Sequence, residues 1–267
     1  MKNIIYQYWD GPLLPGVTAG SECMKDYAGR IGAEYRFELN PRFRTDLGNF
    51  SPHYGQFKVV YDTSFDEYDN ILFADTDVFP IEGLTNSIFE EFNSHIGVCE
   101  ETYQPKARLT SVSEINSNMD NKWSALMERT YGCTMPRTVE GLPKVYNSGV
   151  VMYSKEGRKL AQKHFRPFQE YVQLIRNNGI SNFYTADQNY LHAMMLRPPI
   201  EYSELNNDWN AFIHYIGDAS MSRRPVNDMR TDTTKFVHIQ LRTADHYDAK
   251  KLWNITNLKN IEDWKIY

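Results

Sequence analysis

The chain has 267 residues, 41% of them hydrophobic and 24% charged, which suits one large domain with a real core. A formal net charge of -5 and a pI near 5.8 give no electrostatic reason to expect nucleic acid or an anionic membrane as the main partner. An anionic ligand therefore needs local compensation from a metal or a few basic side chains. Three scattered cysteines, Cys23, Cys99 and Cys133, argue against a disulfide scaffold or zinc ribbon. With no signal-like start and no apolar run of membrane length, a cytoplasmic protein without a membrane span is expected.

Asn3 to Tyr8 reads as a strand running into the loop WDGPLLPG. Ser21 is the expected cap of a helix whose Cys23, Met24, Tyr27, Ala28 and Ile31 share one face; Gly32 stops it, and Tyr35 to Leu39 is the next strand. This β-α-β order implies a parallel pair. Ser51-Pro52 opens a second helix through Phe57, Val60 and Tyr61. The run Ile71 to Ala74 is a buried central strand that stops at Asp75.

Residues 100–145 lose periodicity and read as an inserted lid, with one short helix near Trp123 to Met127. Val150 to Tyr153 is a further strand, and Leu160 to Ile175 carry a long amphipathic face that Pro167 must kink or break. Thr185 begins a helix reaching Met195, and Thr185-Ala186-Asp187-Gln188 spells a capping box. Phe236 to Ile239 is the last strand. With no repeat and no linker, the expectation is a single α/β domain: a mostly parallel twisted sheet flanked by helices.

The strongest motif is YDNILFADTDVFP, in which an apolar strand delivers Asp75 and Asp77 with one residue between them. In an extended chain such residues point the same way, and two carboxylates so close repel unless a cation lies between them. Oxygen ligands of this kind suit Mn²⁺ or Mg²⁺, which take their remaining ligands from diphosphate and water. The same stretch also resembles the haloacid-dehalogenase phosphatase superfamily, where the first aspartate is a nucleophile.

Further segments follow in order: Lys58, Tyr68-Asp69 with the strand into Asp75-Thr76-Asp77, Tyr146-Asn147-Ser148-Gly149-Val150, Ala186-Asp187-Gln188, and Val237-His238. Together they resemble the glycogenin and bacterial lipopolysaccharide glucosyl- and galactosyltransferase family of retaining GT-A enzymes. The resemblance implies a GT-A domain. Residues 1–80 would be mainly the nucleotide-binding half and 81–267 the acceptor half, with residues 100–145 as an acceptor-side lid. It implies a metal held by Asp75, Asp77 and His238, and Asp187 and Gln188 beneath the anomeric carbon. Lys58, Thr76, Asn147, Ser148 and Gly149 would meet the donor, the Asn147 amide both donating to and accepting from sugar hydroxyls.

Tyr8, Trp9 and Asp10 would hold the base, where ring stacking and a carboxylate facing the uracil N–H select UDP. The phrase IIYQYW is also similar to the opening of inositol-phosphoceramide mannosyltransferase-like enzymes, which use a GDP-sugar. The family's Gly-x-x-Lys-Pro-Trp is replaced by HIQLRTADHYDAKKLW, leaving Arg242, Lys250 or Lys251 as candidate pyrophosphate-binding cations. The implied activity is transfer of a hexosyl group from a UDP-sugar to a hydroxyl acceptor (glycan, glycoprotein or lipid-linked), with a phosphatase or a GDP-sugar mannosyltransferase as the alternatives.

Overall fold

The structure is a computed structural model that describes residues 1–216 and 224–239, so Arg242, Lys250 and Lys251 lie outside the described residues. Strand β1 (Asn3–Trp9) leads into helix α1 (Pro15–Ile31), which returns to β2 (Glu34–Leu39), and β1 and β2 pair in parallel. α1 starts earlier than Ser21. Pro15 takes the first helical position, where its fixed φ costs nothing, Leu14 is the N-cap, and the Ser21 hydroxyl instead donates to the Thr18 carbonyl. Gly32 ends the helix at φ 70°, its N–H returning to the Ala28 and Gly29 carbonyls.

The Ser51–Phe57 segment winds as a 3-10 helix and relaxes into the short helix α2 (Lys58–Tyr61). β3 (Asn70–Ala74) is buried throughout and lies parallel to β1. β4 (Val78–Pro80) follows at once, then β5 (Ile96–Glu100), α3 (Gln104–Leu109) and α4 (Ser117–Tyr131). The remaining elements are β6 (Tyr146–Ser154), α5 (Lys155–His164), α6 (Phe168–Asn177), α7 (Asp187–Met195), β7 (Tyr202–Glu204), β8 (Ala211–Ile216), β9 (Arg224–Asp228) and β10 (Phe236–Ile239). Pro167 separates α5 from α6, as the sequence requires.

The main sheet has the order β2-β1-β3-β6-β5-β7. Its pairings are parallel except where β6 runs antiparallel to β3 and to β5. Of a second sheet, β4-β10-β8-β9, the sequence predicts only the strand β10. Its strands are short, and β4 follows the DTD turn without a break, so nothing local separates it from β3. The core lies on both faces of the main sheet. One side gathers Tyr54, Phe57, Phe168 and Tyr190, whose rings meet at 4.9 to 5.7 Å, and the other gathers Tyr27, Leu72, Trp209 and Phe236.

Residues 100–145 hold more regular structure than the single short helix expected. α4 is capped by Asn116, whose side chain accepts from Met119 N, and is stopped by Gly132 in the left-handed conformation. Trp123, Leu126 and Met127 belong to the core, and the Trp123 indole donates to Tyr171 Oη at 3.0 Å. A buried Arg108–Asp120 pair at 2.8 Å ties α3 to α4. The apolar stripe of α4 is narrow and set among Asn, Lys, Glu and Arg, which is why its period is faint in the sequence.

Candidate functional site

Asp75 and Asp77 stand where β3 ends. The backbone there does not stay extended: Val78 N–H donates to the Asp75 carbonyl at 3.1 Å, closing a tight turn directly before β4. The convergence of the two carboxylates therefore comes from a turn rather than from strand alternation. The turn is clamped from several elements. Gln7 of β1 donates to the Asp75 carbonyl at 2.8 Å, Asp75 N–H donates to the Gly149 carbonyl at 2.8 Å, and Ile239 N–H of β10 donates to the Asp77 carbonyl at 3.0 Å. Helix α1 approaches so closely at Gly20 that a Cβ there would sit 1.9 Å from the Thr76 carbonyl oxygen.

His238 arrives through strand pairing. β10 lies antiparallel to β4, with His238 opposite Val78 and so one residue from Asp77. The ligating atoms of Asp75, Asp77 and His238 lie within 4.8 Å of one another, and His238 Nε2 is 3.3 Å from Asp77 Oδ1. Gly149 of β6 leaves room for them: a Cβ there would fall 2.3 Å from His238 Cε1 and 2.9 Å from Asp75 Oδ2. Two carboxylates and an imidazole, held this close and partly or fully buried, make a donor set that fits Mn²⁺ or Mg²⁺.

The electrostatics express the same need for a cation. Burial, then the Asp77 charge, push the Asp75 carboxyl well above its ordinary range. Burial works against a charged His238 ring, but Asp77, by charge and hydrogen bond, and Asp75 outweigh it and raise its pKa. Burial also raises Asp187, with His53, Gln56 and Ser148 opposing.

A group whose folded pKa exceeds its unfolded value binds its proton more tightly when folded, so its stabilising contribution is lost as pH rises through the folded pKa. Metal-free protein is accordingly expected to lose stability as pH rises, above about 4 for Asp75 and Asp187 and above about 6.5 for His238. A divalent cation held by this cluster would displace the protons of Asp75 and His238, so the Mn²⁺-induced rise in Tm should be larger at pH 8 than at pH 6. Melting curves at the two pH values, with and without Mn²⁺, check both signs; equal metal shifts would contradict them.

Two cavities meet at this cluster. One of about 260 Å³ is lined by Tyr8, Trp9, Asp10, Pro52, His53 and the Asp75-Thr76-Asp77 turn. The other, of about 520 Å³, includes Asn147, Ser148, Asp187, Gln188 and His238 in its wall. Tyr8, His53, Asp75 and Asp77 border both.

Tyr8 is a fixed wall: its hydroxyl donates toward the Pro52 and His53 carbonyls at 2.8 and 2.9 Å, and its ring lies so close to Gly55 that a Cβ there would come within 2.5 Å. The Trp9 indole donates to the Pro12 carbonyl, and Asp10 Oδ1 accepts from Arg42 N–H at 3.1 Å. The Asn147 amide oxygen already accepts from Gly149 N–H and Asn210 Nδ2, and its nitrogen donates to Glu101, so the acceptor role expected for it is taken up internally. Asp187 accepts from Gln56 Nε2 and from Ser148 Oγ at 3.2 Å.

The structure does not bring Lys58 to this place. Its ammonium pairs with Glu38 and Asp62, and it borders neither cavity. Gln56, two residues earlier in the chain, points to Asp187 instead, because the 3-10 winding of Ser51–Phe57 changes which residues face inward. The capping box does not form either. The Thr185 hydroxyl donates to the Asn182 carbonyl within a 3-10 turn, and Ala186 is the N-cap of α7. Asp187 is thus the first helical residue. His53, Gln56, Glu101, Arg108 and Asn210 are site residues that the sequence did not single out. A histidine beside the Ser51-Pro52 helix start is the only one of these with a local cue.

No protein-family model matches the chain, and no curated protein does. Among solved structures, the chain is similar to the galactosyltransferase LgtC in complex with donor and acceptor sugar analogs. The TM-score is 0.51 at 12% identity, covering 98% of both chains. It is also similar to a glycosyltransferase involved in glycosylation of the major capsid of PBCV-1, with TM-score 0.47, 12% identity, and 79% of this chain and 85% of that one covered. A third likeness is to apo mouse xyloside xylosyltransferase 1, with TM-score 0.48, 15% identity, and 80% and 88% covered. The LgtC likeness shows the fold: this is a GT-A domain, a mixed α/β sheet flanked by helices.

Proposed function

We propose that this chain is a metal-dependent glycosyltransferase that moves a hexosyl group from a UDP-sugar to a hydroxyl acceptor, with retention at the anomeric carbon. The observation that carries the reading is the convergence of Asp75, Asp77 and His238 at the junction of two cavities in a GT-A fold. The smaller cavity, with its fixed Tyr8 ring, Trp9 and Asp10, takes the base and ribose. The larger takes the sugar and the acceptor. The diphosphate lies between them.

Asp75, Asp77 and His238 would hold Mn²⁺ or Mg²⁺, which when bound neutralises the departing diphosphate. His53 borders the same junction and offers ring nitrogens there as polar partners. Gln188, with its neutral amide oxygen, and Asp187, held by Gln56 and Ser148, face the sugar and stabilise positive charge developing on its ring. Gln104, Arg108 and Ile115, in and just after α3, supply the acceptor side of the larger cavity, which is the sense in which residues 100–145 act as a lid. None of the described helices is long and apolar enough to cross a membrane. The proposed enzyme is cytoplasmic and acts on a glycan, glycoprotein or lipid-linked acceptor. The GT-A fold and the presence of His238 beside the aspartate pair favour this reading over a dehalogenase-like phosphatase with Asp75 as nucleophile.

A melting screen of nucleotide sugars with and without Mn²⁺ tests the proposal. A ligand at about 100 times its Kd adds about 2.7 kcal/mol, which for a domain of this size is a rise of about 5–10 °C. The expected result is that rise for a UDP-sugar only when Mn²⁺ is present. A larger rise with a GDP-sugar would move the donor to the mannosyltransferase-like alternative. No rise with any nucleotide, together with release of product from p-nitrophenyl phosphate, would sink the transferase reading.

A further inference from the structure

His238 Nδ1 lies 2.9 Å from Asn210 Oδ1, and both residues are buried. That distance alone does not say which ring nitrogen carries the proton, because a neutral imidazole donates from one nitrogen and accepts at the other. The neighbouring groups decide it. The Glu101 carboxylate accepts, so Asn147 presents its Nδ2 there at 2.7 Å. The Gly149 backbone N–H can only donate, so Asn147 presents its Oδ1 there, again at 2.7 Å. The Asn147 amide is thus oriented twice over, by an acceptor at one end and a donor at the other. Its Oδ1 also lies 2.9 Å from Asn210 and must meet the Asn210 Nδ2, which leaves the Asn210 oxygen facing His238. An amide oxygen accepts only, so Nδ1 carries a proton toward Asn210, which leaves Nε2 as the ring nitrogen that faces Asp77, at 3.3 Å from its Oδ1.

We infer that Asn210 is a positioning residue that sets the tautomer and orientation of His238, holding Nε2 ready to ligate a cation. The chain of groups runs Glu101, Asn147, Asn210, His238, and it joins the end of β5 to β6, to the residue before β8 and to β10. It therefore links the wall of the larger cavity to the cation site across both sheets. The Phe212 ring, edge-on to the imidazole with centroids 4.4 Å apart, limits the ring's remaining freedom. The use of Nε2 as a ligand rests on the metal site proposed above; the direction of the Nδ1 hydrogen bond does not.

The test separates the two. In ¹⁵N-histidine spectra of metal-free protein, recorded at alkaline pH with the ring neutral, His238 should carry its proton on Nδ1. Asn210→Leu, close in volume but without an acceptor, should shift the ring toward the Nε2–H form and weaken Mn²⁺ binding, measured by calorimetry, by about ten- to a hundred-fold. Asn210→Asp keeps an acceptor for Nδ1–H while giving up the N–H to Asn147, and should retain the wild-type tautomer. A wild-type ring protonated on Nε2, or an Asn210→Leu variant with unchanged tautomer and Mn²⁺ affinity, would overturn the inference. If the leucine variant does not fold, the wild-type and aspartate spectra still decide it. A wild-type ring with Nδ1–H that binds no Mn²⁺ would support the hydrogen-bond chain and refute the metal site instead.

Discussion

Asp77→Ala is expected to lower turnover by at least about 10³-fold, in line with the loss of a principal electrostatic contact to a leaving group, while leaving the fold intact. The fold should survive because what anchors Asp77 is backbone: its carbonyl accepts from Ile239 N–H, and the turn is closed through the Asp75 carbonyl. Removing the side chain also removes a like charge beside Asp75, which Asp77 pushes further above its ordinary range. The metal-free variant should therefore melt no lower than the wild type at pH 8. The rise in Tm produced by Mn²⁺ with UDP should disappear. Transfer at the wild-type rate, or an undiminished metal-dependent rise, would show that the cation is held elsewhere.

Gly149→Ala should be nearly as damaging for a different reason. Gly149 lies within β6 and does not need the left-handed backbone, so the effect is one of space. The added methyl would stand 2.3 Å from His238 Cε1 and 2.9 Å from both His238 Nδ1 and Asp75 Oδ2. The imidazole has little room to retreat, with Asn210 on Nδ1 and Phe212 against its face. The expected outcome is a stability loss of about 1–3 kcal/mol, typical of an overpacked core site, and a fall in Mn²⁺ affinity of about a hundred-fold or more. Combining Gly149→Ala with His238→Ala makes the argument testable in stability alone. Removing the ring should restore most of the lost Tm without restoring Mn²⁺ binding. If the double variant is less stable than Gly149→Ala by the full cost of His238→Ala, the methyl does not act through the ring.

Asn147 illustrates how tertiary contacts can occupy a side chain that the sequence offers to a ligand. Its place in the YNSGV segment brings it to the cavity wall, but its side chain is committed to Glu101, Gly149 and Asn210. Lys58 illustrates the converse: its position on the helix before β3 suggests a donor contact, yet the 3-10 winding of Ser51–Phe57 turns it toward Glu38 and Asp62. Gln56 and Asn210 carry no sequence signal at all, since a buried amide has the same local surroundings whether it fills space or orients a ligand.

The sequence by itself determined the features that depend on neighbours along the chain. Continuous apolar runs specify β1 and β3, Gly32 stops α1, Pro167 divides α5 from α6, and the end of the β3 run places Asp75 and Asp77 at a strand terminus. Tertiary structure alone decided the second sheet, the inward face of the Ser51–Phe57 turn, the docking of α4 and the direction of the hydrogen bonds behind His238. Those depend on contacts between segments far apart in the chain. His238 is brought to Asp77 because β10 pairs with β4, and the direction of its Nδ1 hydrogen bond follows from a carboxylate just past the end of β5, at residue 101. Local patterning records propensity and period, whereas register between distant strands is set by the whole packed core.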